Sequence, residues 1–218
     1  MVFYYNIRGS LTRKRSEGSG GGMTILGLPD VRQLLGARDP RELNAENRWA
    51  SVAMMLRDTK AGPEVLFIRR AEHPDDPWSG HMAFPGGRKE EHDLSLLHTA
   101  QRETLEEVGI DLQRHAEPIG QLDDLQAVAR GKPAGTVIRP YVFEVYSDVP
   151  LRIDRTEVAE AIWTPISPLF HGEADTVRPY AWQDRTIEFP AYDVRGRVVW
   201  GLTYQMLRSF FRIVDTQL

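Results

Sequence analysis

Phe84 to Ile110 reads FPGGRKEEHDLSLLHTAQRETLEEVGI. The segment opens on Pro85-Gly86-Gly87, a turn signal, and closes with Glu103, Glu106 and Glu107 ahead of Gly109. Between them Leu94, Leu97, Leu105 and Val108 recur at helical spacing. This predicts a helix from about Asp93 to Val108, ended by Gly109 as a C-cap. At about 100° per residue the three glutamates fall within an arc of roughly 100°, opposite the leucine and valine stripe. One face is expected on a core, the other presenting three carboxylates to a single point. Like charges three and four residues apart cost a helix about 0.2–0.5 kcal/mol per pair, and only Arg102 is near enough in sequence to offset them. A divalent cation would offset them better, because hard cations such as Mg2+ take oxygen ligands and complete their shell with water and phosphate oxygens. A solvated acidic helix face is the plainer alternative, and the adjoining glycine loop weighs against it.

The 218 residues suit one domain of moderate size with extensions. A net charge of −4 gives no general attraction to nucleic acid or to an anionic membrane, so neither is expected as a partner. There is no cysteine, which excludes disulfides, thiolate chemistry and cysteine-based metal sites and fits a reducing compartment; a cytoplasmic location is expected. The six histidines show no metal-ligand spacing. No apolar run approaches the ~18 residues of a membrane helix, so a soluble chain is expected.

Residues 1–23 form a basic, Gly/Ser-rich tail that is expected to be flexible, with residues 1–22 dispensable. Residues 24–47 hold a short helix from Leu28 to about Gly36 and a charged connector from Arg38 to Arg48. Residues 48–218 make up the main domain. There Ala50–Leu56 and Glu64–Arg70 read as a strand hairpin, His81–Phe84 as a short strand, and Ile119–Val128 and Val137–Tyr146 as strands around the loop Arg130–Gly135. Glu157–Ile162 reads as a turn or short helix. Ile187–Phe189 and Arg197–Trp200 are expected to pair around Asp193–Gly196, and Leu202–Val214 to form a C-terminal amphipathic helix. This mixture argues α/β or α+β with a central sheet.

The loop and helix resemble the Nudix hydrolase signature. Arg102, Glu103, Glu106, Glu107, Gly109 and Ile110 match its second half, with Thr104 where an apolar residue is usual. In the first half, five residues lead from Gly87 to Asp93 rather than to a glutamate, and eight rather than seven then lead to Arg102. The insertion and the aspartate are shared by the coenzyme A pyrophosphatase branch. Leu66–Arg70 with Gly80–Gly87, Gly120–Leu125 with Arg139–Val142, and Trp200–Thr203 also resemble that branch. Its pattern has Arg-Ser and then a second Arg, whereas here Ala71 follows Arg70, no second Arg precedes Gly80, and Asp75 and Asp76 add negative charge.

The resemblance implies a Nudix-type α/β/α sandwich with a central mixed sheet, a catalytic loop and helix, and a C-terminal helix. It implies hydrolysis of a nucleoside diphosphate derivative dependent on Mg2+ or Mn2+. Glu103, Glu106, Glu107 and the Gly87 carbonyl would be metal ligands, Glu103 and Glu106 catalytic, and Arg102 an orienting residue. Arg69, Arg70, Phe84 and Gly86 would meet substrate. The general base stays open among Glu103, Glu106, Asp123, Asp124, Glu157 and Glu160. Asp93 and Glu90 read as supports of the loop, and Trp78, Trp163 and Trp200 as stackers on an adenine or as core. The substrate implied is coenzyme A or acyl-CoA. A nucleotide sugar, ADP-ribose, NADH, a dinucleoside polyphosphate or an oxidised nucleotide is the alternative, and a non-catalytic nucleotide-binding module is a third reading. A homodimer is compatible with the sequence.

Overall fold

A computed structural model describes residues 27–44, 48–74, 78–129, 132–146, 148–182 and 185–215. The tail at 1–23, Asp75 and Asp76, and Arg130-Gly131 of the expected loop lie outside the described residues. In chain order the elements are α1 (Leu28–Gly36), β1 (Trp49–Arg57), β2 (Glu64–Arg70), β3 (Met82–Ala83), β4 (Gly86–Arg88), α2 (Leu96–Val108), α3 (Leu112–His115), β5 (Ala116–Gln121), β6 (Leu125–Ala129) and β7 (Lys132–Val145). Then come β8 (Val158–Pro165), α4 (Ile166–Phe170), β9 (Asp175–Trp182), β10 (Arg185–Val194), β11 (Arg197–Val199) and α5 (Gly201–Val214).

The main sheet runs β3-β2-β1-β7-β5, with β4 on β1, β6 on β7 and β8 on β2. Among the described residues only β1 and β7 pair in parallel, so the sheet is mixed. β1 and β2 are buried on both faces, as their near-continuous apolar runs require. Ala53, Met55, Leu66 and Ile68 pack with Ala100 and Val108 of α2, whereas Met54, Leu56, Val65 and Phe67 pack with Leu28 and Val31 of α1 and Phe210 of α5. Helices thus cover both faces, giving the α/β/α sandwich. A smaller antiparallel sheet runs β11-β10-β9.

Five expectations change. α2 starts at Leu96, where the Ser95 side chain caps the His98 N–H. Its inner face is only half of the expected stripe: Leu97 and Val108 pack on the core, but Leu94 is 91% and Leu105 50% exposed, and Thr99, Ala100, Thr104 and Glu107 are buried in their place. Small residues let the helix sit close to β1, and Thr104 satisfies its own hydroxyl on the Ala100 carbonyl at 2.7 Å. Glu157–Ile162 is not helical, because from Val158 the chain pairs with β2. The strand expected over Ile119–Val128 breaks at Leu122–Asp124, where Asp124 turns inward to Arg139. The turn at Asp193–Gly196 is present, with Arg195 at φ 53 and Gly196 at φ 77, but Ile187 and Phe189 face β9 instead of β11.

Candidate active site

The loop before α2 is fixed by backbone geometry that only glycine permits. Gly86 has φ 149, and a Cβ there would lie 2.2 Å from the Ser51 carbonyl. Its N–H donates to Glu107 Oε2 at 2.9 Å. A Cβ on Gly87 would lie 2.4 Å from Glu103 Oε1, so the loop rests directly on that carboxylate. The other end of the loop is tied by Asp93, which is buried. It accepts from the Glu90 N–H at 2.9 Å, the Thr99 hydroxyl at 3.0 Å, and both Nε and an Nη of Arg102 at 3.0 Å. The fork of Arg102 holds Asp93's carboxyl well below the usual carboxylate range, against the opposing effect of burial. Arg102 also reaches Glu106 at 2.9 Å, Glu103 at 3.0 Å and the Arg88 carbonyl at 3.1 Å. One guanidinium therefore couples the loop to two of the three signature glutamates.

Glu103, Glu107 and Glu157 come together: one oxygen from each lies within 4.8 Å of the others. Glu107 is 2% exposed, and burial pushes it up to about 8, opposed by the Gly86 N–H and assisted by the negative charge of Glu103 and Glu157. Burial also raises Glu103, with Arg102 pulling it down. Glu106 stands outside this trio on the exposed side of α2, against Arg102. A convergent, self-repelling set of hard oxygen donors fits a hard divalent cation. Glu157 joins the cluster from the segment just before β8, and nothing local in the sequence marks that approach.

The NUDIX domain family pattern matches residues 47–183. This chain belongs to the Nudix hydrolase family. An uncharacterized protein of Schizosaccharomyces pombe is 37% identical over 163 residues, 66% of this chain and 50% of that protein, so the chain spans about half the length of that relative. The uncharacterized Nudix hydrolase NudL of Photorhabdus laumondii is 30% identical over 181 residues, 81% of this chain and 90% of that protein. The crystal structure of a MutT/nudix family protein from Enterococcus faecalis aligns with a TM-score of 0.49 at 19% identity, covering 87% of this chain and 70% of that one.

Around the Nudix helix the remaining sequence candidates separate by face. Arg69 and Arg70 are neighbours in β2, yet Arg69 lies 3.6 Å from Glu160, which Arg197 also binds, while the charge of Arg70 acts on Glu107. Phe84 is buried and stacked on Phe67, so its ring belongs to the core. Asp123 binds Arg38 and the Arg41 N–H, and buried Asp124 binds Arg139 and the Leu43 N–H. Both hold the connector onto the sheet. Trp163 packs in a core cluster under Arg57. Of the distant carboxylates that sequence left open as a general base, Glu157 alone meets the Nudix glutamates among the described residues. No helix among these residues is long and apolar enough to cross a membrane.

Proposed function

We propose that this Nudix chain hydrolyses the diphosphate of a nucleoside diphosphate derivative, X–P–P–Y plus water giving two monophosphates. The observation that carries the reading is the convergence of Glu103, Glu107 and Glu157 beside the Gly86-Gly87 loop. Phosphoryl transfer needs positioning and neutralisation of the phosphate oxygens more than covalent help. Glu103 and Glu107 of the converging trio, with the Gly87 carbonyl and, from the exposed side of α2, Glu106, would hold Mg2+ or Mn2+, which when bound supplies Lewis acidity and an acidified water. Arg102 keeps Glu103 and Glu106 in place, Arg70 adds positive charge on the phosphate side, and exposed Glu157 takes the proton of the attacking water.

Coenzyme A or acyl-CoA, giving 3′,5′-ADP and (acyl-)4′-phosphopantetheine, is the substrate we favour from the signature's aspartate and inserted residue. A second nucleoside diphosphate class is supported by the engagement of Arg69 with Glu160, which leaves Arg70 as the one arginine of that pair beside the glutamates. Product analysis by chromatography and mass detection, with Mg2+ or Mn2+, against coenzyme A, ADP-ribose, NADH, diadenosine polyphosphates and nucleoside triphosphates tests both. Release of 4′-phosphopantetheine supports the first, and cleavage of another member with coenzyme A intact replaces it by the second. Binding without turnover across the set would make the chain a nucleotide-binding module. On the favoured reading Glu157→Gln lowers kcat by about 10²-fold or more, whereas Glu160→Gln changes it only a few-fold. Equal effects would remove Glu157 as the base.

A further inference from the structure

Glu157 lies in an exposed turn, yet it meets Glu103 and Glu107. The segment that carries it is tied to the last turn of α2. A helix leaves its final carbonyls without intrahelical donors, and two of them are capped from this segment. The Arg152 N–H donates to the Val108 carbonyl at 2.8 Å, and the Asp154 N–H to the Glu107 carbonyl at 3.0 Å. Glu107 is thus held twice, by its backbone to Asp154 and by its carboxylate to the Gly86 N–H.

From Asp154 the chain turns sharply. Asp154 Oδ1 accepts from the Thr156 N–H at 2.8 Å and from the Thr156 hydroxyl at 2.7 Å, the side-chain bond two residues on that makes an Asx turn. The Asp154 carbonyl accepts from the Val158 N–H at 2.9 Å and from the Glu157 N–H at 3.2 Å, while the Glu157 carbonyl accepts from the Ala71 N–H at 2.7 Å. Both backbone groups of Glu157 are therefore committed. β8 then opens on a bulge: Arg70 pairs with Val158 but Arg69 with Glu160, which leaves Ala159 as the extra residue. Its carbonyl accepts from an Nη of Arg155 at 2.7 Å. The bulge turns Val158 to the α2 side together with Ala161 and Trp163, which strict alternation would not allow. Pairing of β8 with β2 brings this stretch to the site, and the turn sets the direction in which Glu157 leaves it.

We propose that Asp154 is a positioning residue for Glu157: its carboxylate folds the turn that aims the Glu157 side chain at Glu103 and Glu107. This rests on the hydrolase reading above, in which Glu157 takes the proton of the attacking water, and adds to it the group that keeps the base in line.

The test is a double-mutant cycle in kcat and KM, with Mg2+, on the member of the substrate panel above that the parent cleaves fastest. Asp154 is exposed, so Asp154→Ala is expected to melt as the parent does. Its kcat should fall about tenfold or more at nearly unchanged KM, since about 1 Å of misplacement at a reacting group costs on the order of 10²-fold. Asp154→Asn keeps the acceptor oxygen and restores most of the rate. In a Glu157→Gln background Asp154→Ala costs less than about twofold further, because a residue that acts through Glu157 has nothing left to position. Parental kcat in Asp154→Ala, an equal loss in both backgrounds, or no rescue by Asp154→Asn overturns the assignment, and turnover by the parent then leaves the hydrolase reading standing. Failure of the parent to cleave any member of the panel with Mg2+ or Mn2+ overturns both.

Discussion

Gly86 and Gly87 are adjacent, and they exclude side chains for different reasons. At Gly86 the obstacle is backbone, the Ser51 carbonyl and the Val52 Cα, and φ is 149. At Gly87 the obstacle is the Glu103 carboxylate, the end of a side chain that can move. Gly86→Ala is therefore expected to damage folding, since neither the conformation nor the contact has a cheap escape. Gly87→Ala is expected to fold and to push Glu103 out of the cluster. A displacement of about 1 Å at a reacting centre costs on the order of 10²-fold in rate, so kcat/KM should fall by about that factor with little change in Tm. Steady-state kinetics beside thermal melts separate the two variants. A Gly87→Ala protein with parental kinetics would show that Glu103 does not need its present place.

Helix α2 depends on what is tied to each end. Gly109 ends it at φ 73 with its N–H on the Leu105 carbonyl, and Ser95 and Asp93 hold its start. Asp93→Asn keeps the size of the side chain but turns one acceptor oxygen into a donor that faces Arg102 or the Glu90 N–H. Breaking a buried ion pair on one side costs about 3 kcal/mol, so the urea midpoint should drop with an unchanged slope. Turnover should fall with it, because Arg102 also steadies Glu103 and Glu106. An unchanged midpoint would show that Arg102 is held by its other contacts. The ends of this helix were partly legible in sequence, since Gly109 has a local chemical reason to stop it. Its inner face was legible only at Leu97 and Val108. Leu94 and Leu105 have helical spacing but face solvent, and periodicity carries no information about how closely a helix approaches its sheet, which is what favours Ala100 and Thr104 here. The same limit applies to the site: Glu103, Glu106 and Glu107 are visible as one local pattern, whereas Glu157 enters through the pairing of β8 with β2, a long-range event that its neighbours do not encode.

On the scale of the whole molecule, the sheet separates the acidic cluster from a second large core, where α1, α5 and the smaller sheet meet. Tyr192 of β10 is fully buried there, 4.9 Å from the Tyr204 ring and 6.3 Å from Phe211. Burial pushes its phenol up to about 12, and Arg208 beside the hydroxyl pulls the other way. In the unfolded chain a tyrosine loses its proton near pH 10. Between those values the unfolded state has released a proton that the folded state retains, so stability falls as pH rises. The contribution is fully present below about pH 10 and is lost toward pH 12, at about 1.4 kcal/mol per pH unit and roughly 2–3 kcal/mol in all. Lysines and other tyrosines titrate in the same window, so the informative quantity is a difference. Urea unfolding of the parent and of Tyr192→Phe at pH 8, 10 and 11.5 should show the parent losing stability more steeply above pH 10, because phenylalanine has no proton to hold. Two parallel curves would mean that the buried hydroxyl ionises as readily in the folded chain as in water.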